Sequence, residues 1–244
     1  MFKFAFLPLA LLQSVLLVFA IAPTTTAANT PPDPLKNTTE NGAGPSERLK
    51  DLQTIGEARD QKGGGLLYRE YYYCSESGEH CSVVYRDTNN TVISRKALDY
   101  SASLIAPSVA IEDLRQNEAF TLARKPESNA VVDAGFDNYV RSQWDALNGG
   151  EQVKFEFLVV GAKKPYKMRA QRDSDAKCAE EQLCLTVEID SWLLGLVAPT
   201  IELVYSREDR TLLRFVGTSN IRSVDNKTQS VDIAYRYENL RQPQ

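Results

Sequence analysis

The side chains with the most definite chemistry are four cysteines, Cys74, Cys81, Cys178 and Cys184. The first two flank Ser75-Glu76-Ser77-Gly78-Glu79-His80, and the second two flank Ala179-Glu180-Glu181-Gln182-Leu183. Four cysteines permit three connectivities, and the polar, hairpin-like stretch inside each pair favours neighbour pairing. Loops this small restrain little unfolded-chain entropy, so each bridge is expected to stabilise by about 2–3 kcal/mol. Neither pair has the Cys-x-x-Cys spacing of a redox-active dithiol. Their expected role is to pin turns in an oxidising compartment.

Catalytic chemistry finds little to build on. The chain has one histidine, His80, inside the first cysteine loop, where a serine or cysteine hydrolase would need its base at a hairpin tip; a solvated turn residue is expected. Gly217-Thr218-Ser219-Asn220 begins like a nucleophile elbow without its second glycine, and Ser174-Asp175-Ala176-Lys177 matches Ser-x-x-Lys by letter alone. Both read as structural. Asp173, Asp175, Glu180 and Glu181 surround Cys178 with oxygen ligands, but lack the glycine and terminal glutamate of an EF-hand and read as a solvated loop. The 32 acidic residues single out no glycosidase pair. Sequons at Asn37, Asn89 and Asn226 accept glycans only in a eukaryotic source and are read as chance matches. No catalytic residue, cofactor or metal is expected.

The remaining chemical signal is apolar. Trp192-Leu193-Leu194-Gly195-Leu196-Val197-Ala198-Pro199 lies between two alternating strands and alternates nothing, so its apolar side chains must face both ways. It reads either as a doubly buried strand or bend, or as the lip of an apolar groove. On the groove reading, the lining residues are Trp144, Phe155, Phe157, Trp192, Leu194, Leu196 and Tyr205.

These side chains need elements to hold them. Val153, Phe155 and Phe157 alternate with Lys154 and Glu156, as Leu185, Val187 and Ile189 do with Thr186, Glu188 and Asp190. One-sided alternation with short polar turns predicts an antiparallel meander with a single buried face. Residues 133–147 break the rhythm with Phe136, Tyr139, Val140, Trp144 and Leu147 at helical spacing. Asp133 is placed to cap that helix, and Asn148-Gly149-Gly150 to end it. The expected fold is mainly β: a curved antiparallel sheet of about nine or ten strands, an incomplete β-barrel wrapped around one packed α-helix.

The ends of the chain read differently. Residues 1–28 carry Lys3, an apolar run over residues 4–22 and a small-residue close at Thr26-Ala27-Ala28, the pattern of a cleaved secretory signal. An inner-membrane anchor through residues 4–22 is the alternative. Residues 29–65 read as a flexible tether, punctuated by prolines and by Gly63-Gly64-Gly65, with Leu49, Leu52 and Ile55 predicting one short helix over residues 46–59. Residues 66–240 form the single β-rich domain. A formal net charge of −4 with scattered basic residues argues against a nucleic-acid partner.

Three stretches carry a resemblance: Val131-Val132-Asp133-Ala134-Gly135-Phe136-Asp137-Asn138-Tyr139-Val140, the run over residues 193–205, and Leu213-Arg214-Phe215-Val216-Gly217-Thr218-Ser219-Asn220-Ile221. Over residues 68–237 the chain resembles a family of uncharacterised exported proteins of Gram-negative bacteria. More remotely, its architecture is similar to the outer-membrane lipoprotein carriers, whose incomplete barrel closes over a helix and holds acyl chains. The resemblance implies a periplasmic or secreted protein, but no carrier residue maps onto a position here. The leading expectation is a noncatalytic protein binding a lipid, acyl chain or other apolar ligand in the concave face of its sheet. The alternatives are an envelope interaction or structural module with a filled core, and a carboxylate-based hydrolase.

Overall fold

The computed structural model describes residues 52–123, 130–174, 178–191 and 199–238. The leader and the proposed groove residues Trp192, Leu194 and Leu196 lie outside these. Among the described residues no helix is long and apolar enough to cross a membrane.

The strands are β1 (Leu52–Asp60), β2 (Leu66–Cys74), β3 (His80–Asp87), β4 (Val92–Asp99), β5 (Ser108–Asp113), β6 (Glu118–Leu122), β7 (Val131–Val132), β8 (Val153–Leu158), β9 (Tyr166–Arg172), β10 (Gln182–Ile189), β11 (Ile201–Ser206), β12 (Leu212–Thr218) and β13 (Ser230–Tyr237). Two short helices, α1 (Gly135–Ser142) and α2 (Trp144–Asn148), lie between β7 and β8. All the strands join one sheet in the order β6-β5-β4-β3-β2-β1-β13-β12-β11-β10-β9-β8-β7. Neighbours are antiparallel except β7, which runs parallel to β8.

The alternation read from the sequence sets the buried face. In β8, Val153, Phe155 and Phe157 are partly buried while Lys154 and Glu156 are exposed, because successive strand side chains point to opposite faces. One inward row, Ala58, Ile233, Phe215, Leu203 and Leu185, crosses from β1 to β10 in register. The sheet curls without closing: Leu158 and Val160, from the β8 end, pack into the same core as Ile111 of β5 and Leu122 of β6. The neighbour disulfides are present. Cys74–Cys81 joins register partners of β2 and β3, and Cys178–Cys184 closes the loop entering β10.

Five expectations are corrected. Leu52 and Ile55 lie on a strand and not on a helix, because β1 pairs along its length with both β2 and β13; such pairing overrides a thin apolar stripe. Gly63-Gly64-Gly65, read as part of the tether, belongs to the β1–β2 turn, where the Asp60 amide donates to Gly65 O at 2.8 Å and Gly64 takes φ 68°. The single helix over residues 133–147 is two, broken at Gln143 (φ −101°, ψ 15°). Asp133 does not cap α1: the cap is Ala134, with no side-chain cap hydrogen bond. Among the described residues the sheet has thirteen strands and not nine or ten, partly because β1 was hidden in the apparent tether and β7 is too short to show alternation.

The resembling stretch over residues 131–140 is a seam. The Val132 amide donates to Ile105 O at 2.9 Å and the Asp133 amide to Leu158 O at 3.3 Å, tying the junction to both ends of the curled sheet. Asn138 Nδ2 donates to Leu104 O at 3.0 Å. Gly135 permits the close approach, since a Cβ there would lie 2.5 Å from the Ile105 carbonyl carbon and 2.8 Å from Pro107 Cδ.

Candidate functional site

Two groups of side chains stand out, one between the helices and the sheet and one buried on the inner face of the sheet. The first is aromatic. Helical spacing places Phe136 and Tyr139 on the sheet-facing side of α1, and strand alternation turns Phe155 and Phe157 of β8 towards them. Phe136 stacks on Phe155 at 5.4 Å between centroids and meets Phe157 edge-on at 5.8 Å; Tyr139 lies 4.9 Å from Phe155. All four rings are only partly buried. Register extends this face inward, with Phe155 opposite Met168 of β9 and Met168 opposite Ile189 of β10.

Trp144 and Tyr205 come together deeper in the same apolar cluster, against which Phe136, Phe155 and Phe157 pack. Trp144, first residue of α2, is 5% exposed and Tyr205 is fully buried. Their rings meet edge-on at 6.0 Å, and the Arg210 guanidinium lies 5.3 Å over the indole. Leu147, Leu185 and Leu203 fill the space around them. The structure thus divides the described groove candidates into a half-open pair, Phe155 and Phe157, and a closed, filled pair, Trp144 and Tyr205.

The second group is polar and was not foreseen. Glu70 on β2 is buried, with its Oε2 accepting from the Tyr72 hydroxyl at 2.6 Å and the Tyr235 hydroxyl at 3.4 Å. Gly56 of β1 leaves room for this group, since a Cβ there would approach Tyr235 Cε1 to 2.9 Å and Glu70 Oε2 to 3.2 Å. Lys96 on β4 donates to Asp133 Oδ1 at 2.6 Å, with both side chains 7% exposed. Burial pushes the Glu70 carboxyl above its usual range, against the tyrosine hydroxyls and the Lys96 charge, which pull it down. Desolvation and the Glu70 charge together push Tyr72 and Tyr235 well above the usual phenol range. Along α1, Asp137 accepts from the Tyr205 hydroxyl at 3.1 Å and pairs with Arg141; burial pushes its carboxyl up.

A sequence signal for Glu70 and Lys96 existed. Tyr68, Glu70 and Tyr72 alternate in phase, as do Ser94, Lys96 and Leu98, so each charge occupies an inward position. Asp133 has φ 42°, a left-handed backbone that Asp tolerates better than most residues; no spacing rule marks it.

The discounted motifs have structural partners. His80 opens β3, with Nδ1 3.6 Å from Asp99. Ser219 Oγ hydrogen-bonds the Tyr68 hydroxyl at 2.7 Å and accepts from the Ile221 amide at 2.9 Å. Among the described residues no cluster of three or more His, Cys, Asp or Glu side chains is placed to hold a metal ion; Asp175 lies outside them.

No family model matches the chain and no curated protein matches it. Among solved structures it is similar to a beta-barrel-like protein of domain of unknown function DUF1849 from Brucella abortus, at 9% identity and a TM-score of 0.41, covering 78% of this chain and 97% of that one. It is also similar to a putative outer membrane lipoprotein-sorting protein domain from Vibrio parahaemolyticus, at 8% identity and a TM-score of 0.25, covering 78% and 86%. At these scores nothing about ligand or activity passes from either protein to this chain.

Proposed function

We propose that this is a noncatalytic, extracytoplasmic protein that holds an acyl chain or similar apolar ligand against Phe136, Tyr139, Phe155 and Phe157. The observation that carries the reading is that these four rings touch one another against the inner face of a curved sheet and yet stay only partly buried. Large aromatic side chains gain most from full burial, and a contiguous apolar group left partly open in a concavity is the usual form of a small-molecule site. The two disulfides support an oxidising, extracytoplasmic compartment. A flexible acyl chain suits a surface of rings whose one hydroxyl, that of Tyr139, already donates to Lys154 O at 3.5 Å.

A second reading is favoured by the other half of the cluster. Trp144, Leu147 and Tyr205 form closed packing of the kind expected in an interaction or structural module with a filled core. Titration with a fluorescent acyl probe separates the two. The ligand reading expects saturable binding that Phe155→Asp weakens by about tenfold or more, since one buried aromatic contact contributes about 1.5 kcal/mol or more, while the near-ultraviolet circular dichroism stays native. Absence of saturable binding in the wild type, or unaltered affinity in a folded Phe155→Asp, favours the filled module.

A further inference from the structure

The aromatic face is open at one end and closed at the other. Between β8 and β9 the register partners are Phe157 with Tyr166, Phe155 with Met168 and Val153 with Ala170, and directly opposed strand residues share a face. Tyr166 therefore stands in the inward row of Met168 and Ala170. Exposure along that row falls from 49% at Tyr166 to 8% at Met168 and 0% at Ala170. β10 repeats the gradient: Ile189, opposite Met168, is partly buried, while Val187, Leu185 and Leu183 are 2%, 1% and 0% exposed. Leu183 is the register partner of Tyr205, whose ring meets Trp144, so the closed end is the packed one. The open end lies at the β8–β9 connection, where Lys163 and Lys164 are exposed. Residues 159–168 contain no acid, and Asp190, just beyond β10, is paired with Lys154 at 3.0 Å.

We infer that the ligand is a single-chain lipid with an anionic headgroup, carboxylate or phosphate, taken up tail first. Its methyl end runs along β9 towards Ala170, and its headgroup stays outside at Tyr166, beside Lys163 and Lys164; the inference rests on the ligand reading above. At about 3.4 Å per strand residue the row from Tyr166 to Ala170 is about 14 Å long, near the depth one acyl chain occupies in half of a bilayer core about 30 Å thick. The partly open positions Phe155, Phe157 and Tyr166 lie on two adjacent strands about 4.8 Å apart, which suits one chain. Direction follows from solvation. An anion at the Ala170 end would lie among apolar side chains with no partner, at a cost of several kcal/mol, whereas at the open end it keeps its water and meets two ammonium groups. Tyr166, with an apolar ring and a polar tip, suits the boundary between the two.

Fluorescence quenching by stearic acid carrying a nitroxide near either its carboxyl or its methyl end tests the orientation. In Trp192→Phe the one remaining tryptophan is Trp144, at the closed end. At saturation the methyl-end label is expected to quench it at least about twice as strongly as the carboxyl-end label; equal quenching or the reverse order overturns the inference. Should Trp192→Phe not fold, amide resonances of the wild type decide: the methyl-end label must broaden Ala170 more than Lys164, and the carboxyl-end label the opposite. Competition identifies the headgroup. Palmitate or lysophosphatidic acid, whichever displaces the probe more tightly, marks it as carboxylate or phosphate, and a neutral monoacylglycerol competing equally well overturns the anionic assignment. Lys163→Glu/Lys164→Glu is expected to weaken the tighter competitor by at least about threefold, the order exposed charge pairs supply; unaltered affinity in the folded variant overturns the role of these lysines. Uptake in the wrong orientation counts against this inference alone, whereas no uptake of either labelled chain removes the ligand reading and this inference with it.

Discussion

Gly135→Ala isolates the docking of α1. The added Cβ would lie 2.5 Å from the Ile105 carbonyl carbon and 2.8 Å from Pro107 Cδ, against ordinary carbon contacts of about 3.5 Å or more. Ile105 is backbone and Pro107 is a ring, so neither can rotate away, and α1 must move by about 1 Å. Overpacking of this kind costs about 1–3 kcal/mol. The displacement also strains the Asn138–Leu104 and Val132–Ile105 hydrogen bonds, each contributing about 1 kcal/mol net. Alanine restores about 0.4–1 kcal/mol by restricting the unfolded chain. The net expectation is a loss of about 2–4 kcal/mol, read as a lower urea midpoint at unchanged slope. Gly65→Ala is the control: nothing lies within 4 Å of a Cβ there and its φ is ordinary, so it should match or slightly exceed wild-type stability. Gly135→Ala within about 0.5 kcal/mol of wild type, a surface-like effect, would refute the reasoning that this glycine exists for close approach.

Further outcomes follow from the same contacts. Lys96→Met leaves Asp133 buried without its cation and should cost about 3–5 kcal/mol, much of it recovered in Lys96→Met/Asp133→Asn, where asparagine keeps an acceptor and tolerates the left-handed backbone; a double variant no better than the single would contradict this. Glu70 has its folded-state pKa raised by burial, so the fold binds that proton more tightly than the unfolded chain does. Its contribution is therefore full below the unfolded carboxylate value, about 4.3, and is lost as pH rises through the folded value. Glu70→Gln should accordingly raise the neutral-pH Tm and flatten its pH profile above that point; a profile as steep as wild type would show that Glu70 is not responsible. Replacing Cys74 and Cys81 together with serine should cost about 2 kcal/mol, as a short closed loop implies, without loss of the cooperative transition in urea.

Much of the sheet was legible because its strands bury one face: Phe155 and Phe157 against Lys154 and Glu156 could be read by period alone. The disulfides were legible for a similar local reason, since each cysteine pair flanks its own short loop. β1 was not, because its inward positions include Gly56 and Ala58, whose small side chains leave no apolar alternation and matter only once Tyr235 and Glu70 arrive from distant strands. The break at Gln143 was also hidden, since Phe136, Tyr139, Val140, Trp144 and Leu147 keep helical spacing through it. Of the candidate groove, the sequence signalled the aromatic types but not their division into a closed Trp144–Tyr205 packing and a half-open Phe155–Phe157 face. The Glu70–Tyr72–Tyr235 group and the Lys96–Asp133 pair depend on β2 meeting β13 and on β4 meeting the β7–α1 junction in space, which alternation within a strand does not specify.

Native mass spectrometry of the full chain, purified gently from its own cells and followed by organic extraction, tests the central claim most directly. A discrete added mass that extracts as an acyl chain or phospholipid and is reduced in Phe155→Asp is expected. A bare chain recovered reproducibly under mild conditions, together with no uptake of added lipid, would contradict it.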